Sequence, residues 1–225
     1  MSIKAIIPAR GGSKGILKKN IVDFAGRPLL AWTIEQAKNA RHVDSVYVSS
    51  DDDEILEVAK KYGANVIKRP AEISDAKAPS ECCLLHALQY MNAPSVVVFL
   101  QATSPLRQSR DIDRAIEKFD KEKLDSLFSA TPLEDFFIWT VKKTGVISYN
   151  YDYEKRKRRQ DISGQIVENG SFYIFKPDVL VEHNNRLGGK IGYSLMDSWK
   201  LHEIDNLDDL ELCEYLFKKK GLDRL

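Results

Sequence analysis

Short apolar runs alternate with amphipathic stretches through the first 130 residues, and this alternation restricts the chain to a narrow set of folds. Residues 5–8, 45–49, 65–68, 96–100 and 126–130 read as strands, and the unbroken apolar character of 5–8 and 96–100 marks strands buried on both faces. Residues 28–40, 51–62, 79–91 and 109–119 carry apolar side chains at helical spacing. Pro28 suits a first helical turn and Gly63 a helix stop. Asp51-Asp52-Asp53-Glu54 looks like a metal cluster but reads better as a helix start, where acids meet the positive end of the dipole. Such a strand–helix–strand rhythm implies an α/β fold with a mostly parallel sheet covered by helices on both faces. Ligands then bind beyond the carboxyl ends of the strands, so the loops after Pro8, Ser49 and Leu100 are expected to carry the chemistry.

From Thr131 the rhythm breaks. Residues 170–175 and 201–204 read as strands and 207–220 as a helix, while 135–165 and 180–192 read as an excursion, either a β-excursion or a dimer arm. The expectation is one domain over 1–225 with a dimerisation or lid insertion around 135–192, a size ordinary for one α/β domain.

Composition excludes several functions. Lys plus Arg number 34 against 33 for Asp plus Glu, so the chain lacks the basic excess of a nucleic-acid or anionic-membrane binder. Cys82, Cys83 and Cys213 lack zinc-ligand spacing and read as reduced thiols of a cytoplasmic protein. No signal peptide is expected, and the apolar run 95–100 is too short to span a bilayer. No His has a triad partner at a recognisable spacing, and Trp32 reads as core.

The segment after the first strand is Pro8-Ala9-Arg10-Gly11-Gly12-Ser13-Lys14-Gly15. Its glycines let backbone N–H groups approach an anion, and Arg10, Lys14, Lys18 and Lys19 add positive charge. Neither G-x-x-x-x-G-K-[ST] nor G-x-G-x-x-G is present. The loop suits a nucleoside triphosphate; a plain turn with solvated lysines is the other reading.

Taken with Lys19-Asn20, this loop resembles the signature of the CMP-sialic acid synthetases, the acylneuraminate or nonulosonic acid cytidylyltransferases. Further blocks match in order: Arg69-Pro70-Ala71-Glu72, Ser80 ahead of His86-Ala87-Leu88, Gln101 to Arg107 (QATSPLR), and Asn169-Gly170-Ser171-Phe172-Tyr173. The resemblance implies a Rossmann-like three-layer sandwich of the nucleotidyltransferase (GT-A-like) kind. It also implies the reaction CTP plus a nine-carbon 2-keto acid sugar giving CMP-sugar and diphosphate, with Mg²⁺ as cofactor and a homodimer as the working unit.

By that resemblance Arg10, Gly11, Gly12, Ser13, Lys14, Lys19 and Asn20 surround the triphosphate. Lys19 is the cation expected to stabilise charge at the α-phosphoryl group. Arg69 and Ser80 line the cytosine and ribose side; without the resemblance they read as a surface cation and an ordinary first-turn residue. Gln101, Thr103, Ser104, Arg159 and Tyr173 are placed at the sugar, Arg159 being the residue of the basic run 155–159 that counts back from Asn169-Gly170. Residues 133–139 are where sugar discrimination is expected. Glu203 and Asp205, two apart on an expected strand end, point to one face and converge on a hard cation. The family pattern there is usually D-x-D, so Glu203 is a departure, and Asp205 alone also reads as a helix cap. The sugar stays open among N-acetylneuraminic, legionaminic and pseudaminic acids and KDN. CMP-KDO synthesis, a UTP- or GTP-dependent sugar nucleotidyltransferase and a non-catalytic nucleotide binder are the competing functions.

Overall fold

The computed structural model describes residues 2–13, 15–75, 78–133, 136–158, 161 and 164–224. Its strands are β1 (Ile3–Pro8), β2 (Asp23–Phe24), β3 (Arg27–Pro28), β4 (Ser45–Ser50), β5 (Asn65–Lys68), β6 (Val96–Leu100), β7 (Ser126–Pro132), β8 (Trp139–Lys142), β9 (Gly145–Ser148), β10 (Ile166–Phe175) and β11 (Ile191–Leu195). The helices are α1 (Leu29–Lys38), α2 (Asp53–Lys61), α3 (Ser80–Leu88), α4 (Ser109–Lys121), α5 (Pro177–His183) and α6 (Leu207–Lys219). Among the described residues no helix is long and apolar enough to cross a membrane.

Seven strands make one sheet in the order β11-β7-β10-β6-β1-β4-β5, and β10 alone runs antiparallel to its neighbours. The pleat sorts each buried strand between two cores. Ala5 and Ile7 of β1 and Val98 and Leu100 of β6 face α1, α2 and α4 through Leu30, Ile34, Ile55, Ile112 and Phe119. Ile6, Val97 and Phe99 face the other way, against Leu84 and Ala87 of α3 and Leu180 of α5. Helix, sheet and helix therefore make the expected three layers, which is why 5–8 and 96–100 contain no polar position. A third cluster seats α6 on α1: Trp32 donates Nε1–H to the Phe24 carbonyl at 2.7 Å and packs edge-on against Phe217.

The acidic run 51–54 does start a helix, with the Asp52 carboxylate accepting from the Glu54 and Ile55 amides. The expected strand at 201–204 is absent. Residues Ser198–Leu201 form a 3-10 turn because Lys200, fully buried, drives its ammonium into the start of α4, 2.7 Å from Asp111 Oδ2 and 3.1 Å from Gln108 Oε1. The chain then runs extended outside the sheet, held by the Ile204 amide donating to the Thr103 carbonyl at 2.9 Å. Asp205 is not the cap of α6. Asn206 is, and Asp209 completes the reciprocal box.

The expected insertion at 135–192 also needs redrawing. β10 and β11 belong to the main sheet, and only the β8–β9 pair stands apart. In β11 the apolar residues Ile191, Tyr193 and Leu195 lie exposed while Gly192 and Ser194 face inward. A Cβ on Gly192 would come within 2.2 Å of Leu124 Cδ1, so the strand fits only with its small residues inside.

Candidate active site

The strand order reverses at β1. The chain goes from β1 outward to β4 and β5, then returns to β6 on β1's other side. Such a switch point opens a crevice at the carboxyl ends of the strands. Here it holds a cleft of about 440 Å³ lined by the residues that follow β1, β5 and β6, the start of α3 and the segment before α6. Arg10, Ser13, Lys19, Asn20, Arg69, Ser80, Gln101, Thr103, Glu203 and Asp205 all line it. Residues spread over most of the sequence thus share one cavity. Lys14 and Arg159 lie outside the described residues.

The loop after β1 is held by its own polar atoms. The Asn20 amide donates to the Arg10 carbonyl at 2.9 Å, and the Ser13 amide donates to the Gly11 carbonyl. Gly11 does not offer its amide to the cleft. That N–H goes to Asp51 Oδ1 at 3.2 Å, and neither Gly11 nor Gly12 lines the cavity. Glycine is needed at 11 because a Cβ would sit 2.6 Å from Asp52 Oδ2, against the cap of α2. Lys18 is likewise not a cleft cation, since it pairs with Glu54. Gly15 is required by proximity: a Cβ there would lie 2.2 Å from the Asp205 backbone oxygen, so the loop and the C-terminal segment meet backbone to backbone.

Lys19 makes the same junction with its side chain. Its ammonium lies 2.8 Å from the Ile204 carbonyl and 2.9 Å from Asp205 Oδ1. Across the cleft Arg69, 5% exposed, donates Nε–H to Ser74 Oγ at 3.0 Å and stands 3.6 Å from Asp51 Oδ1. Asp51 therefore ties the glycine loop to the Arg69 wall. Arg10 reaches the Asp75 carbonyl at 3.2 Å, and Ser80 opens α3 on the same wall beside Cys83.

Glu203 is the electrostatically unusual group. Burial first, and the Asp205 carboxylate second, push its pKa up to about 7, while Lys19, the Ser104 hydroxyl and Arg107 oppose the shift. A half-buried carboxylate beside a second one is an arrangement a divalent cation relieves. Mg²⁺ takes such sparse carboxylate ligation and completes its shell with phosphate oxygens and water. The donor set at 203 and 205 therefore fits Mg²⁺ bound with a triphosphate. Among the described residues no cluster of three His, Cys, Asp or Glu side chains could hold a metal without such help.

Arg107 closes the QATSPLR block. It is fully buried; its guanidinium donates to the Ser171 carbonyl at 2.7 Å and to the Gln101 carbonyl at 3.4 Å, and to Thr33 Oγ1 at 3.2 Å. Burial lowers its pKa to about 9, which leaves it charged at neutral pH. It fixes the turn that presents Gln101 and Thr103. The sequence signal was an Arg two residues beyond a Ser-Pro turn, which does not by itself show burial.

Gly170, at φ +66°, leaves room for Glu203, since a Cβ would stand 1.9 Å from its Oε1. Ser104 is buried and does not line the cleft. Tyr173 also stands one ring back from it, stacked on Phe99 at 5.5 Å with its hydroxyl on Glu168. Of the stretch 133–139, Glu134 and Asp135 lie outside the described residues, and Phe136, Ile138 and Trp139 are exposed at the β8–β9 pair rather than in the cleft.

The sequence profile described as Cytidylyltransferase matches residues 4–220. The chain is 40% identical over 206 residues to N-acylneuraminate cytidylyltransferase A of Danio rerio, covering 90% of this chain and 48% of that protein. It is 33% identical over 224 residues to the pseudaminic acid cytidylyltransferase of Campylobacter jejuni, covering 95% of each. It spans about half the length of the fish relatives it matches. Among solved structures, CMP:2-keto-3-deoxy-manno-octonic acid synthetase complexed with CTP shares the fold, with a TM-score of 0.76 at 16% identity over 98% of this chain and 100% of that one. The 4-diphosphocytidyl-2C-methyl-D-erythritol synthase of Anaerococcus prevotii follows with a TM-score of 0.66 at 14% identity, over 96% and 98%. With the profile running through almost the whole sequence and a switch-point cleft gathering its loops, the chain belongs to the cytidylyltransferase family.

Proposed function

We propose that this protein transfers CMP from CTP to a nonulosonic acid, releasing diphosphate. The observation that carries the reading is Lys19, which reaches from the glycine loop to Asp205 and Ile204 and so places a cation between the loop and the two carboxylates. The anomeric 2-hydroxyl oxygen attacks the α-phosphorus, the bond to the bridging oxygen of the β-phosphate breaks with its electron pair leaving on diphosphate, and the hydroxyl proton passes to water. The chain has to position these groups and neutralise charge. Arg10, Ser13 and Lys19 hold the triphosphate; Arg69 and Ser80 hold the nucleoside side. Gln101 and Thr103, presented by the turn that Arg107 pins, face the sugar. Mg²⁺, held by Glu203 and Asp205, supplies Lewis-acid stabilisation of phosphate charge when bound.

Diphosphate release should require CTP, Mg²⁺ and one acid from a panel of N-acetylneuraminic, legionaminic and pseudaminic acids, KDN and KDO. Release with UTP or GTP in place of CTP would move the protein to another sugar nucleotidyltransferase class. CTP-dependent thermal stabilisation without release would leave a nucleotide-binding protein.

The working unit is a homodimer in this reading. Val141, Val146, Ile147 and Tyr149 are more than half exposed around β8–β9, an apolar patch that a second copy would cover. Light scattering is expected to give twice the 25.6 kDa chain mass, and Val141→Glu to shift it toward one chain. A 25.6 kDa particle for the unaltered protein would refute the dimer. The reduced thiols Cys82, Cys83 and Cys213 suit the cytoplasm.

A further inference from the structure

Arg186 follows α5 in a loop that carries no motif, yet its guanidinium is placed with care. It lies 4.6 Å from the ring centre of Tyr173 and 5.2 Å from that of Phe99. Its Nε stands 3.4 Å from Glu81 Oε1, and both side chains are largely buried. Phe99 lines the cleft, and Glu81 follows Ser80, which also lines it.

The guanidinium carbon stands near both ring centres, and Nε meets the Glu81 carboxylate. Among the described residues its two terminal nitrogens make no hydrogen bond. Cation–π contact with two rings and the Glu81 carboxylate hold the guanidinium in place. Four N–H donors, on a guanidinium beside Phe99 of the cleft wall, are then left to a ligand. A fixed guanidinium fork matches a planar oxygen acceptor better than it matches a hydroxyl.

We infer that Arg186 is a specificity-determining residue at the sugar end of the cleft. Its terminal nitrogens bind a planar oxygen acceptor of the sugar acid, the shared chemistry of a carboxylate and of an acylamino carbonyl. The inference rests on the transfer reaction proposed above.

Arg186→Met keeps an apolar stem over Phe99 and Tyr173 and removes the donors. With an acylamino sugar acid, kcat/KM for the sugar is expected to fall ~10- to 100-fold, the loss of a charge-assisted hydrogen bond, while the KM for CTP stays within about twofold. The analogue with a hydroxyl in place of the acylamino group separates the two sources. A fall on both sugars assigns the carboxylate, and a fall on the acylamino sugar alone assigns the carbonyl. An unchanged sugar KM overturns the inference, and so does a parallel rise in the KM values of sugar and CTP, which marks a packing role. Silence of the unsubstituted enzyme with every sugar refutes the transfer reading instead. Calorimetric titration of the sugar acid into CTP-saturated protein then still tests Arg186, and equal binding by both proteins overturns it.

Discussion

A Lys19→Ala enzyme is expected to turn over ~10³-fold more slowly at saturating CTP and sugar, with a melting temperature only a few degrees lower. The size of the kinetic loss is that of removing one preorganised donor from developing transition-state charge. The stability loss is small for a separate reason. The Asp205 partner is 76% exposed, so the ion pair contributes ~0–1 kcal/mol, and the bond to the Ile204 carbonyl adds about 1 kcal/mol. Lys19→Arg keeps the charge but changes its reach, and is expected to fall between the two. Single-turnover diphosphate release beside a melting curve separates chemistry from folding. Full turnover by Lys19→Ala would remove this residue from the mechanism, and a collapse of the melting transition would make its role structural.

How much of this was legible follows the physics of each signal. Strands buried on both faces write themselves as apolar runs, so β1 and β6 and the loops beyond them were readable, and with them the location of the cleft. β11 was not readable, because its apolar residues face outward and its small ones inward, the reverse of the usual pattern. The segment 201–204 carried an alternation suited to a strand, and the competing fact was tertiary: Lys200 had to reach Asp111 at the start of another helix. Residue types that bind phosphate were named in the glycine loop, yet which of them face the cleft depended on Asp51, Asp52 and Glu54, far away in sequence. Arg107 and Arg186 show the same limit. Their contacts are with residues distant in sequence, and spacing along the chain does not encode them.

Glu203→Gln is expected to make the protein more stable at pH 8 and nearly inactive. In the unfolded chain this carboxyl titrates near 4.5, and in the fold near 7, because it is buried beside Asp205. The folded state therefore holds a proton that the unfolded state has already released. The stabilisation from that proton is complete below pH 4.5, declines as pH rises toward 7, and is gone above it. Glutamine keeps the shape and cannot ionise, so the variant avoids the loss. At pH 8 the gain is about 3 kcal/mol at most, since each pKa unit corresponds to ~1.4 kcal/mol and the part of the carboxylate in contact with water reduces it. At pH 4 the two proteins should unfold alike. Mg²⁺ with CTP should raise the melting temperature of the unaltered protein at pH 8 and do much less for the variant, whose turnover should fall by two or more powers of ten. Urea unfolding at pH 4 and pH 8, with and without Mg²⁺ and CTP, reads all of this. A variant less stable than the parent at pH 8, or one with intact Mg²⁺-dependent turnover, would show that Glu203 is a structural carboxylate. The opposite result would mean that the fold tolerates an unfavourable ionised group at the one place where a cation must be drawn to the triphosphate.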